Sequence, residues 1–226
     1  QVIAFGGLTK LEWMAGMIGT ELKPNEIWKF FIGNKSVEQK FITEYLASHL
    51  SSGKLKKTII GKKIIDVKRR AKMIIIDLEG PLSIVIHLKM TGQLIYSDEK
   101  NIATFPNPIP FAGNTLPGKT THVIFHLDKG TLFFNDMRQF GWVKIVNDDE
   151  LKKIDEKHGP EPFRSGFTPE YLEKICGNWG RPIKLLLLEQ SKIAGIGNIY
   201  ANESLWYAEI SPMKRARELG SQQVGK

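Results

Sequence analysis

Lys72 has the surroundings that best suit a side chain for amine chemistry. It ends a basic run, GKKIIDVKRRAK at residues 61–72, and directly precedes the apolar residues 73–76. Packing against those residues would desolvate the amine and nearby cations would repel its charge, so both effects are expected to lower its pKa. A lysine with a lowered pKa can supply a reactive amine. The alternative is an ordinary lysine on a solvated strand edge, which a run of this kind also produces.

A second group of residues could enter a stack of bases. In NDMRQFGW, residues 135–142, Arg138 and Phe140 lie two positions apart and therefore point the same way in an extended segment. A cation and a ring placed in this way can fill a gap between bases. Met90 in HLKMTG, at the end of another predicted strand, is a third candidate. Packing in the core or at its rim is the alternative for all three.

The third feature is a joint between two predicted helices, within KLLLLEQSKIAGIGNIYANESLWYAEISP at residues 184–212. Gly195 and Gly197 allow a sharp turn and the close approach of a phosphate, and Asn198 is expected to cap the second helix. A helix N-terminus of this kind binds anions. A dinucleotide fingerprint is excluded, because the third glycine is missing and a helix precedes the glycines where a strand is required. An ordinary helical hairpin is the alternative.

The composition favours a polyanionic partner. The 226 residues include 32 Lys and Arg against 24 Asp and Glu, a formal net charge of +8, which suits nucleic acid better than an acidic or membrane-spanning role. Cys176 is the single cysteine, so the sequence predicts no internal disulfide, no cysteine-based zinc site and no metal. Residues 1–20 are broken by Lys10 and Glu12 and lack the pattern of a signal peptide or membrane span. We expect a soluble, cytoplasmic protein.

The elements that must position these residues change in character along the chain. Two helices are predicted near the N-terminus, at residues 11–19 and 36–50, from the spacing of their apolar residues. Seven short β-rich runs between about residues 62 and 146 then predict an antiparallel sandwich or barrel. They are interrupted by residues 101–119, where prolines, glycines and asparagines predict a surface loop.

Beyond about residue 157 the pattern is helical. FTPEYLEKICGNW starts with Thr168 as the predicted N-cap and Pro169 at the first helical position, and two further helices flank the joint. The sequence therefore predicts an α+β protein of two domains, with a β-rich domain at residues 1–157 and a helical domain at residues 158–226.

Taken in order, these motifs resemble the formamidopyrimidine-DNA glycosylase and endonuclease VIII family of base-excision repair. The resemblance runs from about residue 61 to residue 219. It implies an antiparallel β-sandwich followed by a helix-two-turns-helix domain, in which the joint grips the phosphates beside a lesion. The motifs that carry it are RRAK, IHLKMTGQL, THVIFHL, NDMRQFGW, GPEP and KLLLLEQSKIAGIGNIYANESLW.

The resemblance also implies roles for individual residues. Lys72 matches a lysine that assists catalysis near the damaged sugar and phosphate, and Glu203 matches an acidic position near the site. The residues that match those filling the gap left by a flipped nucleotide are Met90, Arg138 and Phe140. The remaining matches, at DNA-facing and phosphate-binding positions, are Lys184, Gly197 and Asn198.

The sequence departs from the family pattern at several places. Family members begin with a Pro-Glu pair whose proline amine attacks C1′, whereas this sequence begins with Gln1 and has its Pro-Glu pair at Pro160 and Glu161. A zinc finger is expected to be absent, since the sequence has one cysteine. Thr120 stands where the family has a DNA-contacting histidine. We interpret the sequence as a truncated or rearranged member of the family.

The function implied by the resemblance is bifunctional. A glycosylase activity flips out and removes oxidised purines such as 8-oxoguanine and formamidopyrimidines, and an abasic-site lyase activity works through an imine with the sugar carbon. The expected partner is duplex DNA with oxidised bases or abasic sites, bound by a monomer that needs no cofactor and no membrane. Two alternatives stay open: a family member that binds damaged DNA without catalysis, and a helical-hairpin protein that binds structured RNA.

Overall fold

The structure is a computed structural model that describes residues 2–5, 42–47, 59–98 and 102–225. The chain divides into two compact units, residues 1–149 and residues 150–226. Among the described residues, those of the first unit form mainly β-strands and those of the second form helices, in agreement with the predicted fold class.

The first unit contains antiparallel sheets. The described strands are β1 Val2–Phe5, β2 Ile42–Ala47, β3 Ile64–Arg70, β4 Met73–Leu78, β5 Leu82–His87, β6 Gly92–Ser97, β7 Ala103–Ile109, β8 Gly113–Leu116, β9 Thr121–Leu127, β10 Thr131–Asp136 and β11 Trp142–Asn147. One sheet has the order β1-β6-β10-β9-β2, a second has the order β11-β5-β4-β3, and β7 pairs with β8. All seven strands predicted between residues 62 and 146 are present.

The two larger sheets pack face to face around the core of this unit. Strands β4 and β5 read MIIIDL and LSIVIH, and two isoleucines of each strand face the aromatic and aliphatic side chains of β9 and β10. Two sheets joined in this way through their inner faces form a β-sandwich, which confirms the predicted fold. The buried side chains that join the sheets include Ile74, Ile76, Ile84, Ile86, Val123, Phe125, Leu127 and Phe134.

The helix predicted at residues 36–50 is wrong in the part that is described. Residues Ile42–Ala47 form β2 and pair antiparallel with β9. A short apolar segment is compatible with both helix and strand, and backbone hydrogen bonds to a neighbouring strand decide between them. The helix predicted at residues 11–19 lies outside the described residues, and β1 is a strand that the sequence analysis does not predict.

The surface loop predicted at residues 101–119 is also wrong. This segment contains the β7–β8 hairpin, whose apolar side chains pack on the face of the five-stranded sheet that points away from the sandwich core. Prolines and glycines marked the segment as irregular, but the apolar residues between them have a surface to cover. The resulting second cluster consists of Ile95, Ala103, Phe105, Ile109, Leu116 and Phe133.

The second unit packs its helices around its own core. Its helical elements, with the helix that spans the boundary between the units, are α1 Asp148–Glu156, α2 Pro169–Gly177, α3 Ile183–Leu188, α4 Asn198–Tyr207, the 3-10 turn Ala216–Glu218 and α5 Ser221–Val224. The core lies between α2, α3, α4 and the 3-10 turn, because each contributes buried apolar side chains. They include Cys176, Ile183, Leu186, Leu187, Ala201, Leu205 and Ala216.

Helix α2 begins as its sequence predicts. The Thr168 hydroxyl accepts a hydrogen bond from the Tyr171 N–H at 3.2 Å, and Pro169 occupies the first helical position. A side-chain oxygen thus satisfies one of the N–H groups that the first turn of a helix leaves unpaired. Among the helices in the described ranges, none is long and apolar enough to cross a membrane.

Candidate functional site

Three turns of the first unit meet at one edge of the sandwich. Met73 opposes His87 and His87 opposes Trp142, so the β3–β4, β5–β6 and β10–β11 turns are neighbours. In the other large sheet, Gly92 opposes Asp136 at the same end. Strand register therefore gathers the turns that carry the predicted lysine and the predicted gap-filling residues. We refer to residues 71–72, 88–91 and 137–141 as the turn edge.

Arg138 contacts both Met90 and Phe140 at the turn edge. Arg138 Nη1 lies 3.4 Å from Met90 Sδ, and the Arg138 guanidinium carbon lies 4.9 Å from the centre of the Phe140 ring. Met90 is 68% exposed and Phe140 is 57% exposed. The three residues that the sequence singled out are thus brought together. A cation that contacts two exposed apolar side chains forms a projection that can occupy the space of a missing base.

Asp136, which sequence reasoning missed, holds the β10–β11 turn. Its carboxylate is 1% exposed and accepts hydrogen bonds from the Thr91 hydroxyl, the Arg138 N–H at 3.2 Å and the Gly141 N–H at 2.6 Å. Because Thr91 belongs to the β5–β6 turn, this carboxylate ties together the two turns that carry the gap-filling residues. An aspartate at the start of a turn often bonds the following backbone in this way, which was the available sequence signal.

Lys72 also lies at the turn edge and is partly buried. Burial lowers the pKa of the Lys72 amine below that of an ordinary lysine, and the charge of Lys89 lowers it further. The direction agrees with the prediction. The repelling cation, however, belongs to the β5–β6 turn and not to the basic run that precedes Lys72 in the sequence.

Other cations of the 61–72 run are engaged locally. Lys68 forms a salt bridge of 2.6 Å with Asp77 on the adjacent strand, and the Arg69 guanidinium donates a hydrogen bond to the Ala71 carbonyl at 3.0 Å. For these residues the structure agrees with the alternative of a solvated edge strand, since β3 lies at the edge of its sheet. Lys72 is therefore distinct within the run.

The joint of the second unit is organised by Gln190. Residues 189–197 connect α3 to α4 as predicted, and Gly195 has a φ of +96°, which glycine adopts without strain. The Gln190 amide donates to the carbonyls of Leu188 at 3.0 Å and Ile196 at 2.9 Å, and its oxygen accepts from the Gly195 N–H at 3.0 Å. One side chain satisfies three backbone groups of the turn. Sequence reasoning missed it, since a single glutamine in a loop forms no pattern.

Asn198 does not cap α4, contrary to the prediction. Gly197 occupies the N-cap position with an extended backbone and no side-chain cap, and its carbonyl accepts from the Ala201 N–H at 2.9 Å. Asn198 is the first helical residue and is exposed. No side chain caps the N-terminus of α4, so its backbone N–H groups can bind an anion, which the helix dipole favours. Asn198 lies at this end of the helix.

The GPEP motif forms backbone hydrogen bonds with the joint. The Gly159 N–H donates to the Gln190 carbonyl at 2.9 Å, and the Ala194 N–H donates to the Pro160 carbonyl at 3.0 Å. A Cβ at Gly159 would lie 2.2 Å from the Lys192 carbonyl oxygen, so a larger residue does not fit. This motif has a structural role in the second unit.

Lys184 and Glu203 lie on the two helices of the joint. Lys184 is in the first turn of α3 and is partly buried, whereas Glu203 is exposed within α4. Glu203 shares a helix face with Ile199, four residues before it, and not with Asn198. Lys72 and Glu203, the two residues predicted to be catalytic, belong to different units. The role of each residue named here in binding or catalysis stays a prediction.

Replacing Gln190 with alanine is expected to lower the free energy of unfolding of the second unit by about 2 kcal/mol, because three partly buried backbone groups lose their partner. Urea unfolding followed by the helical circular-dichroism signal measures the change, since the longer helices among the described residues belong mainly to this unit. Gln222→Ala, at an exposed position, is the matched control and should change stability by less than about 0.5 kcal/mol. Equal effects of the two variants would show that Gln190 does not organise the joint.

Two family models match the chain. One is described as the formamidopyrimidine-DNA glycosylase N-terminal domain and matches residues 26–143. The other is described as the formamidopyrimidine-DNA glycosylase H2TH domain and matches residues 158–226. The similarity thus begins earlier in the chain than residue 61, where the motifs alone placed its start.

Curated relatives are similar over about three quarters of the chain. The formamidopyrimidine-DNA glycosylase of Chloroflexus aurantiacus is 39% identical over 169 residues, which are 74% of this chain and 56% of the relative. That of Pelotomaculum thermopropionicum is 40% identical over 174 residues, 76% of this chain and 58% of the relative. The chain therefore spans a little over half the length of these relatives.

Solved structures show the same architecture. Lactococcus lactis formamidopyrimidine-DNA glycosylase bound non-covalently to DNA with an AP site is 28% identical, with a TM-score of 0.73 over 91% of this chain and 76% of that chain. Its complex with FAPY-dG DNA is 27% identical, with a TM-score of 0.71 over 86% of this chain and 70% of that chain. With one family model covering more than half of its residues and a second covering the helical unit, the chain belongs to the formamidopyrimidine-DNA glycosylase family.

Proposed function

We propose that this protein removes oxidised purines from duplex DNA and cleaves the resulting abasic site through an imine. The contact among Met90, Arg138 and Phe140 carries the proposal. It places a cation and two exposed apolar side chains at one point on the surface, which suits a partner that is both stacked and negatively charged. Damaged or abasic DNA is also what the similar Lactococcus lactis structures contain.

Recognition begins with removal of the damaged nucleotide from the stack. Flipping a nucleotide leaves an unpaired base and an unstacked gap, at a cost of a few kcal/mol. Phe140 and Met90 recover part of that cost by filling the gap, and the Arg138 guanidinium can hydrogen-bond to the exposed base edge or to a phosphate. Asp136 keeps the turn in the conformation that presents these side chains, so little ordering is left for the moment of binding.

The second unit contributes affinity that is independent of the lesion. The open N-terminus of α4, with Gly197 at the N-cap and the exposed amide of Asn198 beside it, suits a backbone phosphate. Contacts of this kind position the protein on the duplex without reading its sequence. Gln190 fixes the turn that leads into this helix end.

The proposed chemistry starts with a neutral amine of the protein, distinct from Lys72, which attacks C1′ of the flipped nucleotide and gives up a proton as the new C–N bond forms. The bond from C1′ to the base breaks, and the base leaves with the electron pair and takes a proton. The sugar ring then opens to give the imine, and loss of a C2′ proton expels the 3′-phosphate. Lys72 is proposed to assist these steps next to the sugar and phosphate, since its amine is partly buried at the turn edge and has a lowered pKa.

Borohydride reduction tests this function, because it converts the imine into a stable protein–DNA adduct. We expect the full-length protein to form an adduct with 8-oxoguanine and abasic duplexes and not with undamaged duplex. Selective binding of abasic duplex without any adduct would overturn the catalytic proposal and leave damage recognition. Stronger binding of folded RNA than of abasic duplex would overturn both.

The rate of cleavage at abasic sites is expected to rise with pH from neutrality. The pKa of Lys72 is lowered by burial and by Lys89, so its neutral fraction grows over a more accessible pH range than that of an ordinary lysine. Lys72→Arg, which stays charged throughout this range, should keep duplex binding and lose the rise. Gel assays of strand cleavage between pH 6 and 9 give the profile. A rate that falls with pH only when Lys72 is present would show that it acts as a cation.

Asn198→Ala is expected to weaken binding to damaged and intact duplexes alike, by about 1 kcal/mol or roughly fivefold, because a phosphate contact is lost. Selectivity for damage should not change. Fluorescence anisotropy with abasic and intact duplexes measures both. Asn202→Ala, exposed on the same helix, is the control and should bind normally. Full affinity of the Asn198 variant at moderate salt would show that the joint is only structural.

A further inference from the structure

The tip of the β7–β8 hairpin presents an aromatic ring in an unusual backbone conformation. Phe111 has a φ of +67° and is 53% exposed. A bulky residue rarely adopts this region, which glycine occupies without strain. Conformations of this kind persist only where the surroundings enforce them, and they are frequent at binding sites.

Both sides of the tip are held by hydrogen bonds. The amide of Gln93, which is 1% exposed, donates to the Pro110 carbonyl at 2.7 Å. The Thr120 hydroxyl donates to the Phe111 carbonyl at 3.1 Å. The base of the hairpin is anchored by the buried second cluster described above. The ring is therefore carried by a fixed backbone, although the side chain itself faces solvent.

This tip lies at the same end of the sandwich as the turn edge. Gln93 directly follows Gly92, which opposes Asp136 in the sheet, and the Thr120 carbonyl accepts from the Asp136 N–H at 2.8 Å. Asp136 in turn accepts from the Arg138 N–H. A continuous path of hydrogen bonds thus connects the backbone of Phe111 to that of Arg138.

We propose that Phe111 is a fourth DNA-contacting side chain, which packs against a base or sugar exposed beside the flipped nucleotide. The proposal rests on the function proposed above. An exposed ring on an anchored backbone, at the same end of the sandwich as the gap-filling side chains, suits an unstacked base, because every base offers an apolar face to stack on. Intact duplex offers no such face, so the contact should add to selectivity more than to general affinity.

Phe111→Gly is the sharpest test, since glycine suits the positive φ and the hairpin should remain folded. We expect an unchanged or higher Tm together with a five- to twentyfold loss of affinity for abasic duplex. Affinity for intact duplex should fall by less than about threefold, as only phosphate contacts remain. Ile102→Ala, also exposed and at the other end of the hairpin, is the matched control and should bind both duplexes normally.

Fluorescence of 2-aminopurine placed beside the abasic site reports directly on the contact. Stacking of Phe111 quenches the probe, so Phe111→Gly should give a brighter complex at saturation than the unmodified protein. Unchanged affinity and fluorescence in the variant, with clear preference of the unmodified protein for abasic duplex, would overturn this inference alone. No such preference in the unmodified protein would overturn the proposed function instead.

Discussion

Replacing both Arg138 and Phe140 with alanine is expected to reduce affinity for abasic or 8-oxoguanine duplex by roughly ten- to a hundredfold, from about 1–3 kcal/mol of lost stacking. The two side chains contact each other, so the double variant removes the pair as a unit. Intact duplex gains nothing from side chains that fill a gap, and its affinity should fall much less. Loss of the Arg138 charge should reduce the slope of the logarithm of the binding constant against the logarithm of salt concentration by about one.

Binding by anisotropy and base unstacking by 2-aminopurine fluorescence separate the two effects. Phe163→Ala serves as a control for an exposed phenylalanine, because Phe163 is 84% exposed in the second unit. This variant should bind damaged and intact duplexes normally. Should the double variant lose both affinities in equal proportion, with the fluorescence change preserved, Arg138 and Phe140 would be general contacts and would not recognise the lesion.

Asp136→Ala is expected to lower the free energy of unfolding of the first unit by about 3 kcal/mol. The substitution removes a buried carboxylate, so one hydroxyl and two backbone N–H groups lose their hydrogen-bond acceptor. Asp136→Asn should cost roughly 2 kcal/mol, since its amide nitrogen would face one of those donors. Both variants should also bind abasic duplex less tightly than the unmodified protein, because the turn that carries Arg138 is no longer held.

Urea unfolding at fixed pH gives the change in the free energy of unfolding. Fluorescence anisotropy without urea, at a temperature well below the Tm of each variant, gives the change in binding. Asp66→Asn is the control, because the exposed Asp66 carboxylate bonds only to the adjacent Val67 N–H among the contacts described. It should alter stability by less than about 0.5 kcal/mol. A stable Asp136→Asn variant with unchanged lesion affinity would show that the turn keeps its conformation without this carboxylate.

Local patterns in the sequence were sufficient for the β-rich runs and for the start of α2. Strands such as β4 and β5 carry enough branched apolar residues that their secondary structure follows from composition and spacing. The cap at Thr168 depends on atoms only three residues apart. The helix, turn and helix around Gly195 were also predictable, because glycine at a positive φ marks a sharp reversal.

The mistaken elements are those whose state depends on a distant partner. Residues Ile42–Ala47 become a strand because β9 offers backbone groups to pair with, and the sequence of the segment does not contain that information. The β7–β8 hairpin exists because the outer face of the five-stranded sheet has apolar residues to cover. Asn198 is displaced from the cap by Gly197, one residue away, which is within the ordinary uncertainty of helix boundaries.

Residue types and their spacing thus identified the candidate groups: the basic charge, the amine of Lys72, the glycine joint, and the apolar and cationic side chains of Met90, Arg138 and Phe140. Which of these groups lie in contact follows from the folded arrangement of the strands. Strand register brings Met90 within contact of Arg138 although 48 residues separate them. It also places Lys89 near Lys72 and the Asp136 carboxylate between the two turns. The physical reason is that pairing between strands depends on long-range packing, whereas residue type and spacing report only on each segment alone.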